Sequence, residues 1–263
     1  MRAALAETAA AFDPRQMDPP LAPALRDLSG CVIAFDLDGT LVDTAPDLVG
    51  ALNAVLAERG RPALPLAVAR PMIGHGAMAL LERSLAAAGG PAERGPALFD
   101  RFIEIYAGRI AEESRPFPGV AEALDELADA GARLVVCTNK RTGFSKALLE
   151  ALDLAGRFAA VMGPDAAGAM KPDPRHLIAA LEAAGGRTAA ALMVGDSKTD
   201  LDAARAAGVP IVAVSFGYTE IPAAELGADA LIHRFADLPA AASRLLAGRA
   251  EAISPILPSS ADA

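Results

Sequence analysis

The stretch that most limits what this chain can become is Phe35-Asp36-Leu37-Asp38-Gly39-Thr40-Leu41-Val42-Asp43-Thr44, directly after the apolar run Cys31-Val32-Ile33-Ala34. A short apolar run with β-branched residues reads as a strand buried on both faces of a parallel sheet. The loop leaving such a strand lies at the carboxyl edge, where open α/β sheets take their ligands. Here it delivers Asp36 and Asp38, one residue apart, so on strand-like backbone the two carboxylates face the same side. Like charges held that close call for a cation or a proton between them. A solvated Asp-Gly turn capping the next helix would use the same residue types. The loop alone does not decide between turn and site.

The chain beyond it has two textures. From Pro46, Leu48, Val49, Leu52, Val55 and Leu56 recur at helical steps, and further helices are expected over 66–69, 77–88 and 97–113. No strand pattern is evident across 45–115, which reads as an all-helical insert closed by the hinge-like Arg115-Pro116-Phe117-Pro118-Gly119. After it, strands expected at 133–137, 159–162, 191–194, 211–215 and 230–232 alternate with helices. Alternation of this kind predicts an α/β fold, a doubly wound parallel sheet with a Rossmann-like core. Residues 30–44 and 116–247 would form that core and 45–115 a helical cap. Residues 1–29, rich in proline, and the tail 248–263 are expected to be poorly ordered extensions.

Polar clusters close several of the apolar strands. One gives Thr138 and Asn139, a hydroxyl and an amide able to donate to phosphate oxygens. A loop stiffened by Pro172 and Pro174 presents Lys171. Another strand ends in Gly195-Asp196-Ser197-Lys198-Thr199-Asp200, with two more carboxylates opening a helix. A turn, a surface cation and an N-cap would each account for one cluster. A single site at one sheet edge accounts for all of them.

In these motifs and their order the chain resembles the haloacid dehalogenase-like hydrolase superfamily, in its phosphatase branch. Asp36-Leu37-Asp38-Gly39-Thr40 matches the first motif, and Thr138, Lys171 and Gly195 through Asp200 match the other three. The cap stretch Arg70-Pro71-Met72-Ile73-Gly74-His75-Gly76, Lys171-Pro172-Asp173-Pro174 and Val214-Ser215-Phe216-Gly217-Tyr218 are similar to the bacterial phosphoglycolate phosphatases. The resemblance implies hydrolysis of a phosphomonoester, with 2-phosphoglycolate the favoured substrate. Pyrophosphatase, nucleotidase and sugar-phosphate phosphatase or phosphomutase activities are the alternatives. It implies Asp36 as nucleophile, Asp38 as acid and base, and Lys171 as the balancing charge. Thr138 and the Asn139 backbone N–H would hold the phosphoryl oxygens. Mg²⁺ would be bound by Asp36, the Asp38 carbonyl and Asp196, with Asp200 helping directly or through water, a hard-oxygen donor set. Arg70 and the Gly74-His75-Gly76 loop are the expected contacts to the rest of the substrate.

Composition narrows the partners. A formal net charge of -9, 4% aromatic residues and no Trp disfavour nucleic acid. A small phosphorylated metabolite remains compatible, because a bound metal reverses the local sign. No apolar run is long enough to span a membrane, and the first residues lack a signal-peptide core. The expectation is a cytoplasmic monomer or small homo-oligomer. The two cysteines, Cys31 and Cys137, are read as buried apolar residues. Gly74-His75-Gly76-Ala77-Met78-Ala79 fits a dinucleotide-binding pattern, but Pro71 spoils the strand that should precede it.

Overall fold

The computed structural model describes residues 26–89 and 95–247. The tail beyond 247 and the extension before 26 lie outside the described residues. At the described end of that extension, Leu28 is buried and donates its N–H to the Ala130 carbonyl at 2.7 Å, so packed chain begins ahead of the first strand.

In chain order the elements are β1 (Val32–Phe35), β2 (Val42–Asp43), α1 (Ala45–Glu58), α2 (Leu66–Ala69), α3 (Ala77–Ala87), α4 (Pro96–Ala107), β3 (Arg115–Pro116), α5 (Val120–Asp129) and β4 (Arg133–Cys137). There follow α6 (Thr142–Ala151), β5 (Ala160–Met162), α7 (Pro164–Ala167), α8 (Pro174–Ala183), β6 (Ala191–Gly195), α9 (Lys198–Ala206), β7 (Ile211–Val214), β8 (Ala230–Ile232) and α10 (Leu238–Leu246). Six strands make one parallel sheet in the order β5-β4-β1-β6-β7-β8. The chain builds outward from β1 on one side, then returns to build outward on the other. The carboxyl ends of β1, β4 and β6 are therefore neighbours at the switch point, where such sheets open a crevice.

Period-two alternation sorts the strands between two cores. Ile33, Phe35, Leu134, Val136, Leu192 and Val194 point to the face covered by α5 and α10. Val32, Ala34, Val135, Cys137, Ala191 and Met193 point to the face covered by α8. Burial on both faces explains why these strands read as continuous apolar runs. Both cysteines are free and buried, and burial pushes the Cys137 thiol up to about 12.

The helical insert has a core of its own. Leu48, Leu52, Val55 and Leu56 of α1 pack with Leu80, Leu85, Phe102 and Tyr106 of α3 and α4. Its last helix stops at Ala107 rather than running to 113. Arg109 and Glu112 bond back three residues instead, and the buried Asp47 carboxylate takes the amides of Glu113 and Ser114 and the Ser114 hydroxyl at 2.6–3.1 Å. The two crossings between sheet and insert are thus tied together, and β2 pairs antiparallel with β3 beside them. Two-residue strands carry no readable period, and that pairing is invisible in the sequence. Among the described residues no helix is long and apolar enough to cross a membrane.

Candidate active site

Asp36 continues β1 by one residue, donating its N–H to the Val194 carbonyl at 2.9 Å, and is almost fully buried. The chain then folds sharply, with the amides of Leu41 and Val42 both reaching the Leu37 carbonyl. Gly39 has φ +85°, and a Cβ there would stand 2.6 Å from Asp196 Oδ2. Glycine at that position lets the two acidic loops abut.

A buried charge cluster lies where the loops meet. Lys171 Nζ is 2.8 Å from Asp36 Oδ1 and 2.6 Å from Asp200 Oδ1. The other Asp200 oxygen accepts from the Ser197 N–H and hydroxyl, closing a capping box that starts α9 at Lys198. Asp196 accepts from Thr40 Oγ1 at 2.8 Å and from the Tyr218 N–H at 2.7 Å. Asp36, Asp196 and Asp200 bring ligand oxygens within 4.8 Å of one another. Burial raises the Asp36 carboxyl above its usual range, with Lys171 pulling it down and Asp200 pushing it up. Burial and the charges of Asp200 and Asp36 raise Asp196 likewise. Burial alone would lower Lys171, but Asp200 and Asp36 outweigh it and hold the ammonium well above its ordinary value. Three crowded carboxylates against one ammonium leave negative charge in excess. The all-oxygen donor set fits a hard divalent cation.

Above this cluster opens a cavity of about 410 Å³ that Asp36, Asp38, Thr138, Asn139 and Lys140 line from the sheet side. Gly74, His75 and Gly76 line it from the insert, so the structure brings these expected residues together. The Asn139 side chain is spent elsewhere. Its amide donates to the Gly74 and Lys171 carbonyls and accepts the Lys171 N–H, leaving its backbone N–H as the donor it can offer a phosphoryl group. Thr138 Oγ1 accepts the Lys140 N–H at 3.2 Å, and its own O–H remains available to donate. His75 Nε2 lies 3.6 Å from Glu220, which Arg83 also holds at 2.6 Å, so the insert is latched to the loop after β7.

Arg70 is placed differently from its expected position. It pairs with Asp43 at 3.0 Å and lies over the Tyr218 ring, outside the lining of the cavity. The carboxylate beside it is the stronger local attraction.

Two neighbours of these groups, Lys140 and Tyr218, have no role assigned from the sequence. Lys140 Nζ stands 2.8 and 3.1 Å from the two Asp38 oxygens, nearly buried, and above the Tyr106 ring at 4.7 Å. Its place next to Thr138 and Asn139 was the available signal. Tyr218 donates its hydroxyl to Asp43 and accepts the Ala45 N–H, a contact across 173 residues that no local pattern announces.

Comparison with known proteins agrees with this architecture. A phosphoglycolate phosphatase of Caulobacter vibrioides is 60% identical over 224 residues, covering 84% of this chain and 94% of the relative. One from Mesorhizobium japonicum is 46% identical over 210 residues, covering 79% and 92%. A crystal structure from Haemophilus somnus, described as a predicted phosphoglycolate phosphatase, superposes with TM-score 0.74 at 32% identity, covering 80% of this chain and 96% of that one. The model of the haloacid dehalogenase-like hydrolases matches residues 33–214. The chain belongs to that family.

Proposed function

We propose that this chain hydrolyses 2-phosphoglycolate to glycolate and phosphate through a phosphoryl group carried on Asp36, with Mg²⁺ as its metal. The observation that carries the reading is Lys171 bridging Asp36 and Asp200 beneath a cavity that Thr138 and Asp38 also line. Phosphatase chemistry accords with the family and with relatives named for it, and the named substrate is theirs.

A phosphomonoester dianion repels an attacking carboxylate, so charge must be balanced first. Lys171 supplies one positive charge beside Asp36, and Thr138 Oγ1–H and the Asn139 N–H are donors for the equatorial oxygens. An Asp36 oxygen attacks phosphorus and the ester P–O bond breaks. Asp38 gives its proton to the leaving alkoxide. A water then attacks the same phosphorus, Asp38 takes its proton, and phosphate departs with Asp36 restored. For the first step Asp38 must carry its proton when the ester is bound, and Lys140, in reach of both Asp38 oxygens, orients the side chain at the cavity wall. The Asp36, Asp196 and Asp200 carboxylates and the Asp38 carbonyl would hold Mg²⁺, which when bound neutralises charge on the transferring group.

We assign residues 45–115 the part of a cap over a core formed by 30–44 and 116–247. A contact set that includes the Asn139 amide on Gly74 supports closure of the insert on the site. Two free buried cysteines suit a reducing cytoplasm.

Phosphate release from 2-phosphoglycolate, pyrophosphate, sugar phosphates and nucleotides, with Mg²⁺ and with EDTA, tests the reading. A dominant kcat/KM for 2-phosphoglycolate that EDTA abolishes is expected. Equal turnover across the panel contradicts the substrate, and undiminished turnover in EDTA contradicts the metal.

A further inference from the structure

The cavity carries one polar atom that neither the fold nor the proposed chemistry uses. Tyr106, on α4 of the insert, is 2% exposed, and its hydroxyl makes no well-formed hydrogen bond, with only the Lys140 ammonium beside it. It lines the same cavity as Asp36 and Asp38. The ring is held on three sides, by stacking on Phe102, an edge contact with Phe144 and the Lys140 ammonium over its face. A buried hydroxyl left unpaired costs free energy that a structural role would recover. A fixed ring with an unspent hydroxyl is instead a preorganised donor.

We propose that the Tyr106 hydroxyl, together with the Lys140 ammonium, receives the carboxylate of the substrate and sets the preference for a short anionic ester. This rests on the proposed 2-phosphoglycolate reading. The reach is right for it. In 2-phosphoglycolate the carboxyl carbon is two bonds from the ester oxygen, and that oxygen must come within hydrogen-bond distance of Asp38 to be protonated. Lys140 is already 2.8 Å from Asp38, so a group just past the ester oxygen meets its ammonium. An ammonium has three donors, and one carboxylate does not exhaust them.

The competitors are poorly placed. Arg70 is bound to Asp43 away from the cavity, and Arg141, which touches the cavity, is exposed. Most of the insert wall is apolar, including Ile73, Leu80, Phe99, Phe102 and Ile103. A carboxylate entering between these walls loses water and needs a charged partner. Lys140 and Tyr106 supply that partner at the catalytic end, while the apolar wall penalises esters that carry charge farther out.

The test compares Tyr106→Phe with the parent enzyme on 2-phosphoglycolate and on ethyl phosphate, which keeps the ester but lacks the carboxylate. Both are measured with Mg²⁺, alongside thermal unfolding. The expected result is a KM for 2-phosphoglycolate raised about tenfold, a KM for ethyl phosphate changed less than about twofold, and a Tm equal to the parent's or higher. An unchanged KM for 2-phosphoglycolate, or equal losses on both esters, overturns the inference. A Tm lowered by several degrees also overturns it, because the hydroxyl would then serve the fold. Failure of the substrate reading looks different. In that case the parent itself turns over ethyl phosphate but not 2-phosphoglycolate.

Discussion

Tyr218 donates its hydroxyl to the Asp43 carboxylate at 2.5 Å, joining the loop after β7 to the crossing between sheet and insert. Its own N–H holds Asp196 at 2.7 Å, so one residue touches both the acid cluster and the base of the insert. Burial, then the Asp43 contact, raises the phenol far above its ordinary value, keeping it a donor. Tyr218→Phe leaves an Asp43 oxygen and the Ala45 N–H without this partner. Unfolding in urea should show a loss of roughly 1–3 kcal/mol. An unchanged midpoint and slope would mean that water replaces the phenol without cost.

Arg70 and Asp43 are each about one-third exposed, at 31% and 30%. A pair that wet contributes at most about 1 kcal/mol. Arg70→Ala should therefore leave kcat/KM for 2-phosphoglycolate within about threefold of the parent. A large loss confined to that substrate would return Arg70 to the substrate-binding role its sequence position suggested.

Lys171 is a different case, because it is 1% exposed between two buried carboxylates. Removing one partner of a buried ion pair costs about 3–5 kcal/mol, more than the pair itself contributes. Lys171→Met should lower the stability measured by urea unfolding and cut kcat at least about 100-fold. Turnover near the parent's would remove Lys171 from charge balancing at Asp36.

His176 on α8 is fully buried, with Nε2 3.1 Å from the Met162 carbonyl and Nδ1 unpaired. Burial, then the Lys171 charge, lowers it to about 4. The unfolded chain binds this proton near pH 6.5, the folded chain only near pH 4. Stability from this group is complete above pH 6.5 and is lost progressively as pH falls through that window. A Tm series from pH 7 to 4 should slope downward, and His176→Gln should flatten it. A series with identical slopes would show that other groups carry the acid sensitivity.

How much of this was legible depends on the range of each interaction. The central strands were readable because burial on both faces of a parallel sheet leaves unbroken apolar runs. The insert was readable because α1 carries Leu48, Leu52, Val55 and Leu56 on one face. The short motifs placed Asp36, Lys171, Asp196 and Asp200 in one crevice because topology brings the ends of β1 and β6 together. Charge competition was not readable. Whether Arg70 meets a ligand or Asp43, and whether the Asn139 amide meets phosphate or the Lys171 backbone, depends on neighbours distant in sequence. Tyr106 stands out in no motif of the sequence. Only the packed structure separates its buried ring from its unpaired hydroxyl.

The central claim is that phosphoryl transfer passes through Asp36. Its most direct test is to mix the enzyme with 2-phosphoglycolate and Mg²⁺, quench in acid within the first turnovers, and map phosphate onto the peptides by mass spectrometry. The account predicts an acid-trapped, hydroxylamine-sensitive phosphate on the peptide containing Asp36, absent from Asp36→Asn. Turnover with no phosphorylated peptide, or with the phosphate on another residue, would contradict it.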